Sequence, residues 1–288
     1  MALLSTGDRV RLGLRRLKRV GRRPLDTLDD LGDQLGFYGR ALAWTPRTLR
    51  RYRKEIYRLL AEVTFGTGAL AVIGGTVGVI AFLSFFTGTE VGLQGYAALD
   101  QLGTSAFTGF LSAYFNTREI APLVAGLALS ATVGCGFTAQ IGAMRNNEEI
   151  DALEVMGVPS LPFLVTTRII AGFVAVIPLY VLGLLTSYFA TRTIATQAYG
   201  QSEGTYVHYF NLFLPPQDVL WSFLKVLVFA VVIILTHCYY GYKASGGPAG
   251  VGLAVGRAVR FSIVAVNIID LFLSLAIWGS TTTVRIAG

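Results

Sequence analysis

The sequence predicts an all-α integral membrane protein with about five transmembrane helices, preceded by an N-terminal amphipathic interfacial (elbow) helix. Three observations carry this. Only 14% of the 288 residues are charged and 53% are hydrophobic, where a soluble domain carries about 25% charged residues. The apolar residues also fall in blocks: 63–86, 120–144, 169–191 and 226–242 contain no Asp, Glu, Lys or Arg, and 261–284 contains only Asp270. A bilayer core takes roughly 20 apolar residues per helix, and five such blocks in a soluble bundle would leave almost no polar surface. Third, basic charge is concentrated at the start. Residues 1–58 hold 15 of the 24 Lys and Arg against 6 Asp and Glu, a net +9. That asymmetry keeps the N-terminus cytoplasmic and favours anionic headgroups over nucleic acid as its partner. The segment lacks the apolar core of a cleaved signal peptide.

The elements follow in order. Residues 1–24, with Arg9, Arg11, Arg15, Arg16, Lys18, Arg19, Arg22 and Arg23, form a basic cytoplasmic tail. Residues 25–61 carry Leu28, Leu31, Leu35, Tyr38 and Leu42 at helical spacing, then arginines around Leu49, Tyr52, Ile56 and Leu59. This is the pattern of a helix lying in the membrane interface. The transmembrane domain, 62–288, has spans at about 62–86, 105–143, 163–191, 218–241 and 261–283. The glycine-rich first span has a small-xxx-small pair, Gly74 and Gly78, which permits close helix approach. Residues 87–103 leave three courses open: a continued helix, a re-entrant dip or an outer loop. The second span is too long for one straight crossing, and Pro122 predicts a kink. Arg118 and Glu119 within it are adjacent, so each needs a partner from elsewhere. Residues 192–217 are expected as an outer loop and 242–260 as an inner one. Five crossings from a cytoplasmic start place the C-terminus outside the plasma (inner) membrane.

The most informative stretch is RNNEEIDALEVMGVPSLPFLVTTR at 145–168. A membrane loop needs only turn residues. This one holds Glu148, Glu149, Asp151 and Glu154 on a helical pattern with Ile150, Leu153, Val155 and Met156. An acidic amphipathic helix at the inner end of a span is a docking element for a soluble partner. Other chemistries find no support. None of the four lysines follows a glycine, so there is no nucleotide-binding P-loop. No Ser-His-Asp or paired-carboxylate arrangement suggests catalysis, and His208 and His237 lack metal-ligand spacing. His237, Cys135 and Cys238 are expected to be structural, the cysteines as small hydrophobes within spans.

Motifs now add a resemblance. GLQGY at 92–96, REIAP at 118–122, TAQIGAMRNNEEIDALEVMGV at 138–158 and YGYKASGGPAGVG at 240–252 resemble the MlaE/YrbE permeases, membrane subunits of ABC transporters that work with MCE lipid-shuttle proteins. The resemblance covers roughly residues 50–285. The arginine-rich N-terminus and the divergent 191–217 loop look like the actinobacterial YrbE branch. It implies a second YrbE-type permease subunit (a paralogue or a copy), an ABC ATPase dimer that binds the ATP, and MCE proteins outside, with no cofactor in this chain. The cargo it implies is lipid: phospholipid, fatty or mycolic acids, or sterols. It makes the acidic segment, about 145–157, the coupling helix, with Arg145, Glu148, Glu149, Asp151, Leu153, Glu154, Met156 and Gly157 meeting the ATPase. Family members often have one acidic residue followed by Gln where this chain has Glu148-Glu149.

On this reading a lipid cavity lies between two permease subunits, walled by the first, second and fifth spans. Gly74, Gly78, Gly126 and Gly134 would allow close packing. Phe107, Phe110, Leu111, Tyr114 and Phe115 would give an apolar surface near the outer end of the second span. Arg118 and Glu119 would lie beside it, with Arg118 meeting an anionic headgroup or else pairing with an acid such as Glu90 or Asp100. Two other classes remain. An ion-coupled secondary carrier could use Arg118, Glu119, Lys225 and Asp270 as a relay, although no internal repeat is visible. A membrane-embedded lipid enzyme would need a polar constellation that the chain does not offer.

Overall fold

Apolar length and proline placement dictate an antiparallel bundle of long helices. The computed structural model describes residues 31–65 and 75–279, all helical or in short turns. Helix α1 covers residues 31–43, α2 Thr45–Arg51 and α3 Arg53–Phe65. Five helices long and apolar enough to cross a membrane follow: α4 (Thr76–Gln101), α5 (Ser105–Asn146), α7 (Leu161–Ala198), α9 (Pro216–Tyr242) and α10 (Gly247–Trp278). Two short helices lie between them, α6 (Glu149–Val155) and α8 (Glu203–Leu212). Helix α1 belongs to one compact unit and everything from Thr45 onward to another. The buried face of α1 is Gln34, Phe37 and Ala41, while Leu31, Leu35 and Leu42 point outward. The stripe expected from the leucines is therefore the exposed one. Leu28 and the 1–24 tail lie outside the described residues.

The helix bounds differ from the sequence expectation in three places. The stretch 62–86 is divided: 62–65 ends α3, 66–74 lies outside the described residues, and α4 begins at Thr76. Of the three courses open to 87–103, the chain takes the continued helix. Thr87 and Thr89 tolerate this because their hydroxyls donate back to Leu83 O and Phe85 O, both at 2.9 Å, so no polar group is left unmet. The expected inner loop 242–260 is a short turn, after which α10 starts at Gly247 rather than 261. Gly246 and Gly247 take φ values of 90° and 71°, a left-handed corner that a side chain would strain. The expected outer loop 192–217 is mostly helical, formed by the end of α7 and by α8.

Contacts fix the helix directions. Ile80 meets Gly183, and Gly88 and Gly92 meet Ser187 and Ile194 in turn, so α4 and α7 run parallel. Arg118 pairs with Asp218 and Thr138 with His237, so α5 and α9 run together. Ser130 meets Ser262 and Glu119 meets Ser274, so α10 runs against them. Helices α4, α7 and α10 thus cross one way and α5 and α9 the other. One end of the bundle carries α6; the opposite end carries α8 and Trp278.

Polar groups sit in three tiers. Near the α6 end, Gln140 donates to Glu62 (2.5 Å) and accepts from Arg168 (3.1 Å), tying α3, α5 and α7 together. In the middle, His237 is fully enclosed, its ring nitrogens 3.1 Å from Ser130 Oγ and 2.8 Å from Thr138 Oγ1. A Cβ at Gly134 would stand 2.6 Å from that ring, so only glycine lets the imidazole in. This is the structural histidine expected from the sequence. The third tier, at the opposite end, holds the charges. Gly126 meets Val266 and Phe229 within the same chain. Gly126 and Gly134 therefore allow close packing within this chain, as expected of small residues on a span.

Candidate functional site

Two places concentrate the chemistry. The first is α6. Its preceding residue, Glu148, has φ 59°, a left-handed bend that turns the chain out of α5. Ile150 is completely buried and pins the helix to the bundle. Arg145 donates to Asp151 Oδ1 at 2.9 Å, and Ser160 donates to Glu154 Oε1 at 2.6 Å. At the C-terminal end Val158 N–H bonds Leu153 O (2.9 Å) and Gly157 N–H bonds Glu154 O (3.0 Å), with Gly157 at φ 73°. That is a Schellman cap. The apolar set expected on one face divides. Ile150 is inside and Leu153 half-buried, but Val155 and Met156 are 89% and 68% exposed. Glu149, Asp151 and Glu154 accompany them outside or part-covered. A rigid, capped helix that presents two bare hydrophobes among carboxylates is a surface made to be covered.

The second place is the charged tier at the opposite end. Pro122 cannot donate to the carbonyl of Arg118, and Lys225 Nζ donates to that oxygen instead, at 2.7 Å. Lys225 is 0% exposed. Its ammonium also donates to Ser274 Oγ (2.8 Å) and stands 2.7 Å from Asp270 Oδ1, an ion pair outside hydrogen-bond geometry, and 3.5 Å from Glu119. Arg118, 6% exposed, pairs with Asp218 at 2.6 Å, and its guanidinium lies over the Tyr114 ring at 4.2 Å. Trp278 Nε1 donates to the other Asp218 oxygen at 2.9 Å. Two cations and three carboxylates from α5, α9 and α10 thus form one connected group.

The expectations for this region need correcting. Arg118 is not open to a headgroup, and its acid is Asp218, not Glu90 or Asp100. Both of those sit on the outward side of α4, where Glu90 accepts from Gln94. Phe107 packs against Tyr209 in a tilted pair (4.6 Å) and Phe110 meets Phe213 edge to face (4.7 Å), while Leu111 fills the space left by Gly95. Helices α4 and α8 therefore cover most of the expected apolar wall. Tyr114 is half-buried beneath Arg118, and Phe115 is exposed. Glu119 accepts from Ser274 (2.8 Å) and stays partly accessible. Sequence reasoning listed Lys225 and Asp270 but missed Asp218, Ser274 and Trp278. Only Asp218 carried a signal, as an acid two positions after a Pro-Pro pair at a helix start.

The cap generates a prediction. Gly157→Ala should cost about 1 kcal/mol at the C-terminus of α6, because only glycine holds this φ without strain. Amide exchange over 152–158 should accelerate. Gly136→Ala, whose Cβ would meet nothing within 4 Å, should leave it unchanged. Equal exchange in the two variants would contradict the assigned role of the cap.

Comparison with known proteins agrees with this architecture. The family profile described as Permease MlaE matches residues 65–276. A probable ABC transporter permease protein of Rickettsia bellii is 30% identical over 190 residues, 66% of this chain and 73% of the relative. The chloroplastic protein TRIGALACTOSYLDIACYLGLYCEROL 1 of Arabidopsis thaliana is 30% identical over 200 residues, 69% of this chain and 57% of its own length. The intermembrane phospholipid transport system permease protein MlaE of Haemophilus influenzae is 27% identical over 203 residues, 70% of this chain and 78% of that one. With the profile spanning α4 to α10 and five crossing helices to match, the chain belongs to the MlaE permease family.

Proposed function

We propose that this chain is the transmembrane subunit of an ATP-driven lipid transporter, with ATP bound and hydrolysed by a separate pair of ATPase subunits docked on α6. The observation that carries this is the α6 surface. It is braced from within by Ile150, Arg145 and Ser160, and it presents Val155, Met156 and carboxylates outward. A push on such a helix passes directly into α5 and α7, to which it is bonded. The names of the relatives, permeases of ABC systems and in one case of phospholipid transport, support the same reading.

The remaining parts follow. Helices α4 and α10 turn Phe82, Phe86, Val264 and Phe272 outward, faces suited to lipid and to a second permease subunit. Phe115 and Glu119 are the accessible members of the lipid path. MCE proteins would sit at the α8 end, and the +9 N-terminal segment supports a cytoplasmic α6 in a plasma-membrane protein. The arginine-rich N-terminus favours the actinobacterial YrbE branch. An ion-coupled carrier would use the charged tier as its relay; lipid movement that persists without ATP would favour it.

Glu149→Lys with Asp151→Lys should lower ATPase retention on pull-down about tenfold or more, since reversed charges at a docked interface cost several kcal/mol. Undiminished retention would remove α6 as the docking element. For orientation, an impermeant thiol reagent applied from outside should label a cysteine placed at Gly288 and spare one at Ala2, with Cys135 and Cys238 replaced by Ser. The opposite pattern would invert the topology.

A further inference from the structure

A groove of about 340 Å³ lies on the outside of the bundle at its α6 end, lined by Leu49, Arg53, Ile56, Tyr57, Leu60, Ile170 and Val174. Its volume falls in the range of about 300–1,000 Å³ typical of small-molecule sites. One wall is the α2–α3 elbow and the other is α7. Ile170 and Val174 fall within the first six residues of the uncharged stretch 169–191, so this wall begins where the hydrocarbon begins. The elbow wall is different. Among the described residues the Arg53 side chain makes a single hydrogen bond, from Nε to Leu49 O at the end of α2, at 3.4 Å. Exposed Arg50, Arg51 and Lys54 surround it, whereas Arg58 is engaged with Glu55 at 2.6 Å.

We propose that this groove is a binding site for an anionic glycerophospholipid of the leaflet on the α6 side. One acyl chain lies between Ile56, Leu60, Ile170 and Val174, and the phosphate meets Arg53. Charge complementarity selects this occupant. A basic helix beside an apolar slot at the membrane boundary attracts anionic headgroups, and the guanidinium fork matches phosphate oxygens. A zwitterionic lipid would bring the same phosphate to Arg53 but would also set an ammonium beside Arg50, Arg51 and Lys54, so a headgroup of net negative charge is favoured. The lipid would act as a fixed wedge that holds the elbow against α7. The site faces outward, away from the charged tier, and does not depend on which lipid is transported.

The test uses the full chain, with its accompanying subunits, in phosphatidylcholine nanodiscs doped with diazirine-tailed phosphatidylglycerol or diazirine-tailed phosphatidylcholine. Adducts are mapped by mass spectrometry. The glycerol probe should label residues 49–60 and 170–174 about fivefold more than the choline probe. Arg53→Glu should bring the ratio near one, and Val174→Trp should reduce labelling there by both probes. Both positions are exposed, and the wild-type comparison needs no variant at all. Equal labelling by the two probes overturns the proposal, as does a preference that survives Arg53→Glu or groove labelling that survives Val174→Trp. Preference that emerges only after deletion of residues 2–30 would mean that the chain's own N-terminal segment fills the groove, which also overturns it.

Discussion

The Lys225 ammonium is the group on which the rest of the bundle depends. It is wholly enclosed, and it joins α9 to the Arg118 carbonyl and Glu119 of α5 and to Ser274 and Asp270 of α10. A charge at this depth is expensive unless every bond is made. Its partners are therefore fixed as tightly as the ammonium is. Pro122 is what makes room. By removing one backbone donor it leaves a carbonyl for Lys225, and the π-helical turns over Ser112–Ile120 bring Arg118 round to Asp218. A carbonyl that would be left unmet in a plain helix becomes the acceptor for a buried cation.

From that anchor the bundle runs through the His237 tier and the Gln140–Arg168 tier to α6. Helix α6 is short, and its own hydrogen bonds would not hold it in water. It is held because Ile150 is buried, because Ser160 and Arg145 reach its carboxylates, and because Gly157 closes its last turn. The molecule is thus stiff at the charged end and presents one firm projection at the other. Under the proposed function, such an arrangement would carry a push on α6 toward the charged tier.

The sequence showed much of this, for physical reasons. Uncharged blocks near bilayer length made five membrane-length helices legible from residues alone, although the first block is divided between α3 and α4 and α4 runs on through Glu90 and Asp100. The acidic segment was legible as a short separate helix because its apolar residues recur at helical spacing between two uncharged blocks. Helix ends were not. Thr87 and Thr89 look like loop residues until their hydroxyls bond back to the helix. The Gly-rich start of α10 looks like a loop until Val251 fills the notch at Gly142. The partner of Arg118 was illegible because Asp218 lies a hundred residues away, and spacing carries no information about a pairing made across helices. The cover placed by α8 over Phe107 and Phe110 was hidden for the same reason.

The claim that Lys225 organises the bundle is tested most directly by a double-mutant cycle with Asp270, comparing unfolding free energies in detergent for wild type, Lys225→Met, Asp270→Leu and the pair. Removing Lys225 leaves Asp270 without its cation, and removing Asp270 leaves Lys225 only the more distant Glu119 at 3.5 Å; the first loss should cost about 3–5 kcal/mol and the second somewhat less. The pair should cost clearly less than the sum, with a coupling of about 2 kcal/mol or more. Losses that add to within about 0.5 kcal/mol would mean that the two charges act independently, and the account would be contradicted.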